Sequence, residues 1–346
     1  FFIFLSRQKA MYGLYQSPIR RSLQADIYRK PHGFIYLFGK EYFYLIKEKK
    51  VWPFTFREFQ VMGLEIPDDR SKVREELKKV KHYFGKKWGN ICFQFGIINE
   101  ITSFDNYRAR SQDIIGKVRG MRLQKRATII KQTGLKLAFK ENMPQSTITI
   151  KLAKSDEELL AEMNSGCADR VKKAIKKGVK VRLWTERDDA VFFEKRQNTA
   201  WGKGFHTITK EQYTMLLKIL RKHDRGNVFI SELNGEQIAG SICLFRDKTI
   251  VYLYGFTDRK YTNLWGHHYL KYGMFEWARD NGFEFCDLMG GAPTGFPEHP
   301  LAWVSKFKES LGGMKSEFYG SYDLVLNPVL YYLFKTFTRI RAKLKK

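Results

Sequence analysis

Acidic residues, cysteine, histidine and long apolar runs are all scarce in this chain of 346 residues. The four cysteines, Cys92, Cys167, Cys243 and Cys286, are isolated, lie mostly in apolar stretches and never approach C-x-x-C spacing. That argues against a zinc site or a disulfide framework and for reduced core thiols in a cytoplasmic protein. The opening FFIFLSR has five consecutive apolar residues and no basic segment before them, too short for a signal peptide or a membrane span. Of seven histidines only His267-His268 are neighbours, and consecutive helical residues are expected to point to different sides, so no metal site is expected. There is no G-x-S-x-G and no Cys/His pair at a recognisable spacing, so a covalent acyl-enzyme is not indicated.

What the chain has in excess is positive charge. Lys+Arg number 62 against 36 Asp+Glu, a formal net charge of +26, and such a surface attracts polyanions: nucleic acid, anionic lipid or a diphosphate-bearing substrate. Charge for solubility alone is the competing explanation. The length suits two domains with their own cores, and 43% hydrophobic content is that of a globular protein.

The stretch from Val251 to Tyr322 organises the rest. Val251 to Phe256 is β-branched and aromatic and favours a strand; a helix follows in which Leu270, Met274, Trp277 and Ala278 form one apolar stripe. Asn281-Gly282 ends it, and Phe283 to Leu288 returns as a short buried strand. Upstream, Val228 to Leu233, Gln237 to Phe245 and Thr249 to Gly255 read as strands joined by turns at Asn234-Gly235 and Arg246-Asp247. A weaker version of the same order comes earlier. Gly33 to Glu48 reads as two strands around Gly39-Lys40, then a helix capped by Ser71 with a Val73, Leu77, Val80, Phe84 stripe, then a strand from Asn90 to Ile98. Hairpins followed by a helix and a strand predict an α/β (α+β) protein of tandem GNAT-like units, with mixed, mostly antiparallel sheets flanked by helices. Between the units, Ile101 to Arg126 is polar, basic and aperiodic, and reads as a long loop with at most one helical turn. Ser155 to Glu158 is a capping box. A GNAT acetyltransferase would carry its glycine-rich pyrophosphate loop at Arg259–His267, where Gly266 is the one glycine; this disfavours acetyl-CoA.

The helix ending W-A-x-x-x-G, the strand end D-L-M-G-G and the later S-K-F-K-E-S-L-G-G resemble the FemABX family of non-ribosomal peptidyltransferases. G-L-K-L-A-F-K-E-N-M-P and V-K-K-A-I-K-K-G-V-K-V extend the resemblance over most of residues 134 to 332. It implies transfer of an amino acid from aminoacyl-tRNA to the stem peptide of a peptidoglycan precursor, lipid II or UDP-MurNAc-pentapeptide, at the cytoplasmic face, without a cofactor. It also implies a first domain of residues 1–147 plus 317–346 on the acceptor side and a second of 148–316 on the tRNA side. YQSPIRRSLQ resembles the family's first-domain opening but lacks its Trp, and Gln24 stands where a basic residue would meet the precursor's phosphates.

By the same resemblance Phe307 and Lys308 sit at the reacting ester. An aminoacyl ester is already activated, so its transfer needs orientation and stabilisation of the developing oxyanion, which a lysine ammonium supplies. A surface lysine beside a core aromatic is the plainer alternative. Tyr254, Lys306 and Asp105, the last in the irregular loop of the first domain, are further substrate-side candidates; Asp287 is a turn former or a supporting residue. Lys172, Lys173, Lys176 and Lys177 form either a solvated helix face or a tRNA phosphate contact. In the tail, Leu330, Phe334, Phe337 and Ile340 recur as a stripe edged by Lys and Arg. This predicts either an interfacial helix on an anionic membrane through Leu330 to Lys346 or packing on the first domain. Two alternatives to the transferase stay open: a GNAT-type enzyme with another acyl donor, and a non-catalytic RNA- or membrane-binding protein.

Overall fold

The computed structural model describes residues 31–105, 112–141, 143–201 and 209–343, without the side chains of 51, 200, 201 and 341–343. YQSPIRRSLQ, Gln24 and the last basic residues of the tail lie outside the described residues. In chain order the elements are β1 (His32–Leu37), β2 (Lys40–Val51), β3 (Phe54–Leu64), α1 (Arg70–Gly85), β4 (Asn90–Asp105), α2 (Gln112–Thr133), β5 (Lys136–Leu137) and β6 (Ser146–Lys151). There follow α3 (Asp156–Glu162), α4 (Ser165–Lys176), β7 (Lys180–Leu183), α5 (Asp189–Trp201), α6 (Lys210–Lys222), β8 (Gly226–Leu233), β9 (Glu236–Arg246) and β10 (Thr249–Thr257). The chain closes with α7 (Gly266–Asp280), β11 (Phe285–Asp287), α8 (Ala302–Glu309), β12 (Met314–Val325) and α9 (Pro328–Lys343). Two units result: the described residues within Phe1–Thr102, Gln112–Gln145 and Glu317–Lys346, and those within Ser103–Ser111 and Ser146–Ser316.

In unit one the strand order is β1-β2-β3-β4-β12, with β5 beside β12. The β1–β2 turn is Phe38-Gly39, at φ 53° and 77°, one residue earlier than expected because Lys40 already pairs with Leu37. β3 runs parallel to β4, and the chain reaches β4 through α1, which buries Val73, Leu77 and Val80. Its cap is Asp69 rather than Ser71: Ser71 lies inside the first turn, and the Asp69 carboxylate accepts from the N–H of Ser71 and Lys72 at 3.2 and 3.3 Å. Phe59 stacks on Phe93 at 4.7 Å, and Phe84 meets both edge-on. Emptying this site with Phe93→Ala would cost roughly 3–5 kcal/mol.

The described parts of Ile101 to Arg126 are strand and helix rather than the expected long loop. β4 continues to Asp105, and α2 then runs for 22 residues. Its helical period is hidden because its buried face carries Val118, Arg122, Ile129 and Thr133, and so mixes charge with apolar groups. Arg122 is fully buried, ion-paired to Glu317 and hydrogen-bonded to the carbonyls of Gln145 and Phe318. The tail stripe divides in the same way. Leu330 and Phe334 turn inward toward Ile91, Cys92 and Phe139, whereas Phe337 and Ile340 stay exposed. Among the described residues no helix is long and apolar enough to cross a membrane.

Unit two repeats the plan: the meander β8-β9-β10, then α7, then β11 parallel to β10, in the order β6-β11-β10-β9-β8-β7. Asn234-Gly235 forms a left-handed turn as expected (φ 50° and 83°). The next turn is Asp247-Lys248, since Arg246 pairs with Thr249. Ser155 and Glu158 complete the capping box of α3. α7 buries Leu270, Met274 and Ala278, while Trp277 packs on Phe229 and Phe245. The four cysteines are buried and free.

Candidate active site

In unit two, β11 ends in Asp287-Leu288-Met289-Gly290-Gly291. The Asp287 carboxylate accepts from the N–H of Met289 at 2.7 Å and from the Thr147 hydroxyl. So held, Met289 and Gly290 both take positive φ, 48° and 35°. That conformation costs a residue with a side chain roughly 1–2 kcal/mol, so the anchor at Asp287 is needed. Beyond the turn, Gly291 N–H donates to the Ser146 carbonyl at 2.9 Å, and Ser305, on α8, accepts from Ala292 N–H. A Cβ at Gly291 would come 2.8 Å from the Ser146 hydroxyl, so glycine lets α8 and β6 close on the turn.

The geometry points two carbonyls at one lysine. Nζ of Lys308 donates to the Met289 oxygen and, at 2.8 Å, to the Gly290 oxygen. Burial lowers the Lys308 ammonium to about 7, the nearby Lys271 charge pushes the same way, and Asp287 opposes both. Lys271, buried on α7, donates to the Ser241 hydroxyl at 2.8 Å and lies 3.3 Å above the centre of the Tyr252 ring. Burial brings it to about 8 and raises the Tyr252 phenol to about 12. Beside them Arg196, on α5, sits 5.6 Å over the Tyr254 ring, its guanidinium lowered by burial. The β9–β10 register shifts between Tyr252 and Tyr254, a local irregularity of the kind that re-aims side chains beside binding sites.

Phe307 contacts both histidine rings, 5.3 Å from each. The expectation that His267 and His268 diverge is overturned, since their rings are 4.0 Å apart. They sit in the first turn of α7 after left-handed Trp265, where Phe307 packs on both. Burial, with His267 and Arg170 adding, drops His268 to about 3 and leaves a neutral ring. No group of three or more His, Cys, Asp or Glu able to hold a metal occurs among the described residues.

The other candidates are placed unevenly. Lys306 leans over exposed Trp303 at 5.0 Å, and Tyr254 is half-buried under Arg196. Asp105 is not in an irregular loop of unit one: it is the last residue of β4 and belongs to unit two, where its charge bears on Lys154. Lys172, Lys173, Lys176 and Lys177 crowd the exposed side of α4, but Lys173 pairs with Asp169 at 2.7 Å and Lys177 donates to the Asn263 carbonyl at 2.8 Å. The sequence pattern does not single out Lys271, Ser241, Tyr252 or Arg196, which the structure brings beside Lys308 or its neighbours. Position 271 precedes Met274, Phe275 and Ala278 by three, four and seven residues, which is the buried side of α7. A lysine on a buried helix face was the available signal.

Unit one has its own cavity, about 440 Å³, lined among others by Lys40, Glu65, Asp68, Arg70, Glu100 and Lys125.

Residues 220–339 match the FemAB family, a span that contains Ser241, Tyr252, Lys271, Phe307 and Lys308. The lipid II:glycine glycyltransferase of Staphylococcus haemolyticus (strain JCSC1435) is 31% identical over 130 residues, 37% of this chain and 30% of that protein. The protein of that name from Staphylococcus saprophyticus is 32% identical over 114 residues, 32% of this chain and 26% of its own length. The matched segments thus span less than a third of these relatives. The crystal structure of FemX superposes with a TM-score of 0.66 over 93% of this chain and 94% of that one, at 16% identity, a likeness of fold.

Proposed function

Because residues 220–339 match the FemAB family, we propose that this chain is an aminoacyltransferase of peptidoglycan cross-bridge formation. It moves an amino acid from aminoacyl-tRNA to a stem-peptide amine of lipid II or UDP-MurNAc-pentapeptide, at the cytoplasmic face of the membrane. The observation that carries this reading is Lys308 on the carbonyls of the Met289-Gly290 turn. A lysine ammonium has three donors. Two are taken by the turn, and the third is offered to the oxyanion that forms when the amine attacks the ester carbonyl. A C–N bond forms, the C–O bond to the ribose breaks, and the ribose oxygen ends with the proton that the amine loses. Preorganised donors of this kind contribute about 3 kcal/mol. Phe307, packed on His267 and His268, lines the donor path in this reading, and Tyr254 and Lys306 are assigned to the substrate side.

The domain roles follow the same reading. Unit two takes the tRNA, its acceptor arm tracking Lys172, Lys173, Lys176 and Lys177 by phosphate contacts. Unit one takes the precursor. Its cavity sets Lys40, Arg70 and Lys125 against Glu65, Asp68 and Glu100, charges of both signs for the carboxylate and amine ends of a peptide.

The test is direct. The protein is incubated with charged tRNA and, separately, lipid II or the nucleotide-linked precursor, and the product is weighed by mass spectrometry. A mass gain of one or more amino-acid residues is expected. No gain with any charged tRNA, together with acylation from an acyl-carrier thioester, would move the protein to another acyl donor.

A further inference from the structure

α9 presents two apolar sides. Leu330, Tyr331 and Phe334 pack inward, but Val329, Leu333, Phe337 and Ile340, spaced i, i+4, i+8 and i+11, form a second stripe turned outward, with Val329 70% and Leu333 63% exposed. A helix packed on a globular unit ordinarily leaves that side polar. Cations flank it: Lys49 lies 4.5 Å over the Phe337 ring and Lys136 4.7 Å over Tyr332, with Lys335 and Arg339 on the helix itself. The surface continues beyond the helix. Asn327, just before α9, donates to the Trp88 carbonyl at 3.2 Å; the Trp88 ring is 5.0 Å from Phe54; and Trp52, between β2 and β3, is 94% exposed. Segments 49–56, 86–89 and 328–340 contain no Asp or Glu.

We propose that this face of unit one is a docking surface for an anionic lipid bilayer. In it the Val329–Ile340 stripe and Trp52, Phe54 and Trp88 enter the headgroup boundary, while Lys49, Lys335 and Arg339 meet lipid phosphates. An amphipathic helix lying in the interface plane needs such a stripe edged by cations, and tryptophan at both a hairpin tip and a neighbouring loop suits the headgroup level. A nucleic acid would use the lysines but gain nothing from Val329, Leu333 and Ile340, and a basic partner is repelled. The proposal deepens the transferase reading by naming how a membrane-borne acceptor is reached, and it rests on that reading only for this purpose.

The experiment is flotation of the full chain with phosphatidylcholine vesicles, with and without phosphatidylglycerol, at several salt concentrations, alongside thermal melts of every variant. Binding to anionic vesicles is expected to drop by at least about tenfold in Leu333→Ser combined with Trp52→Ser, since each deletes a large exposed apolar group that the bilayer would bury. Lys49→Gln and Lys335→Gln each lose about fivefold on anionic vesicles and nothing on neutral ones. Leu333→Trp binds more tightly, which guards against loss through misfolding. Unchanged vesicle affinity in the serine variant overturns the proposal, as does a parallel fall in tRNA affinity, which would assign the surface to nucleic acid. A chain that binds vesicles but transfers nothing defeats the transferase reading and leaves this one standing.

Discussion

Lys271 and Lys308 bring two buried ammonium groups to one ring, their nitrogens 3.3 and 5.6 Å from the centre of Tyr252. Lys308 also faces Asp287 and Cys286 from β11, and Lys271 faces Cys243 from β9. With the ammonium form of Lys308 as the oxyanion donor, transfer declines as pH rises through about 7. Lys271→Met removes a like charge, so the Lys308 value rises and the declining limb moves to higher pH. A pH–rate profile whose limb does not move refutes the coupling.

Lys308→Ala is expected to slow transfer about 100- to 1,000-fold while tRNA and vesicle binding stay as in the parent. Single-turnover rates beside gel shifts separate the two; full turnover in the variant would make Lys308 a structural residue.

The same two lysines affect stability. Their folded values, about 8 and 7, lie below the ordinary 10.5, so between these limits the unfolded chain binds more protons. Their contribution to stability therefore rises with pH from about 7 toward 10.5 and is flat below. Denaturant titrations of Lys271→Met across that range should show a shallower rise than the parent.

Neutralising Lys172, Lys173, Lys176 and Lys177 together as Gln should weaken tRNA binding and flatten its salt dependence, by roughly 0.7 to 0.9 in slope for each phosphate released. Lys172 and Lys176 should dominate, since Lys173 and Lys177 already hold Asp169 and the Asn263 carbonyl. An unchanged slope in gel shifts returns the patch to a solvated face.

In unit one, Glu317→Gln or Arg122→Met strands a fully buried charge and should cost roughly 3–5 kcal/mol. The double variant Arg122→Met/Glu317→Leu should recover most of it. Thermal melts check both; equal melting of single and double variants would show that the pair is not coupled.

Local chemistry was enough for much of this protein. Asn234-Gly235 turns because both residues tolerate positive φ, Ser155 and Glu158 cap because they stand three apart, and α7 reads as a helix because its apolar residues recur on one side. The Phe307-Lys308 pair, by contrast, comes forward only through the resemblance of its motif to the FemABX family, which local chemistry does not supply. Tertiary structure decided wherever a polar group is buried against a distant partner. α2 has no legible period because Arg122 finds Glu317 195 residues away, and no local rule anticipates that pairing. Lys271 joins the site only because β9 brings Ser241, and β10 brings Tyr252, under the same face of α7. The tail stripe, sound as a helical pattern, could not say which side meets Ile91 and Cys92 and which stays open. That choice depends on the sheet beneath it, where burying Leu330 and Tyr331 leaves Val329 and Leu333 turned out.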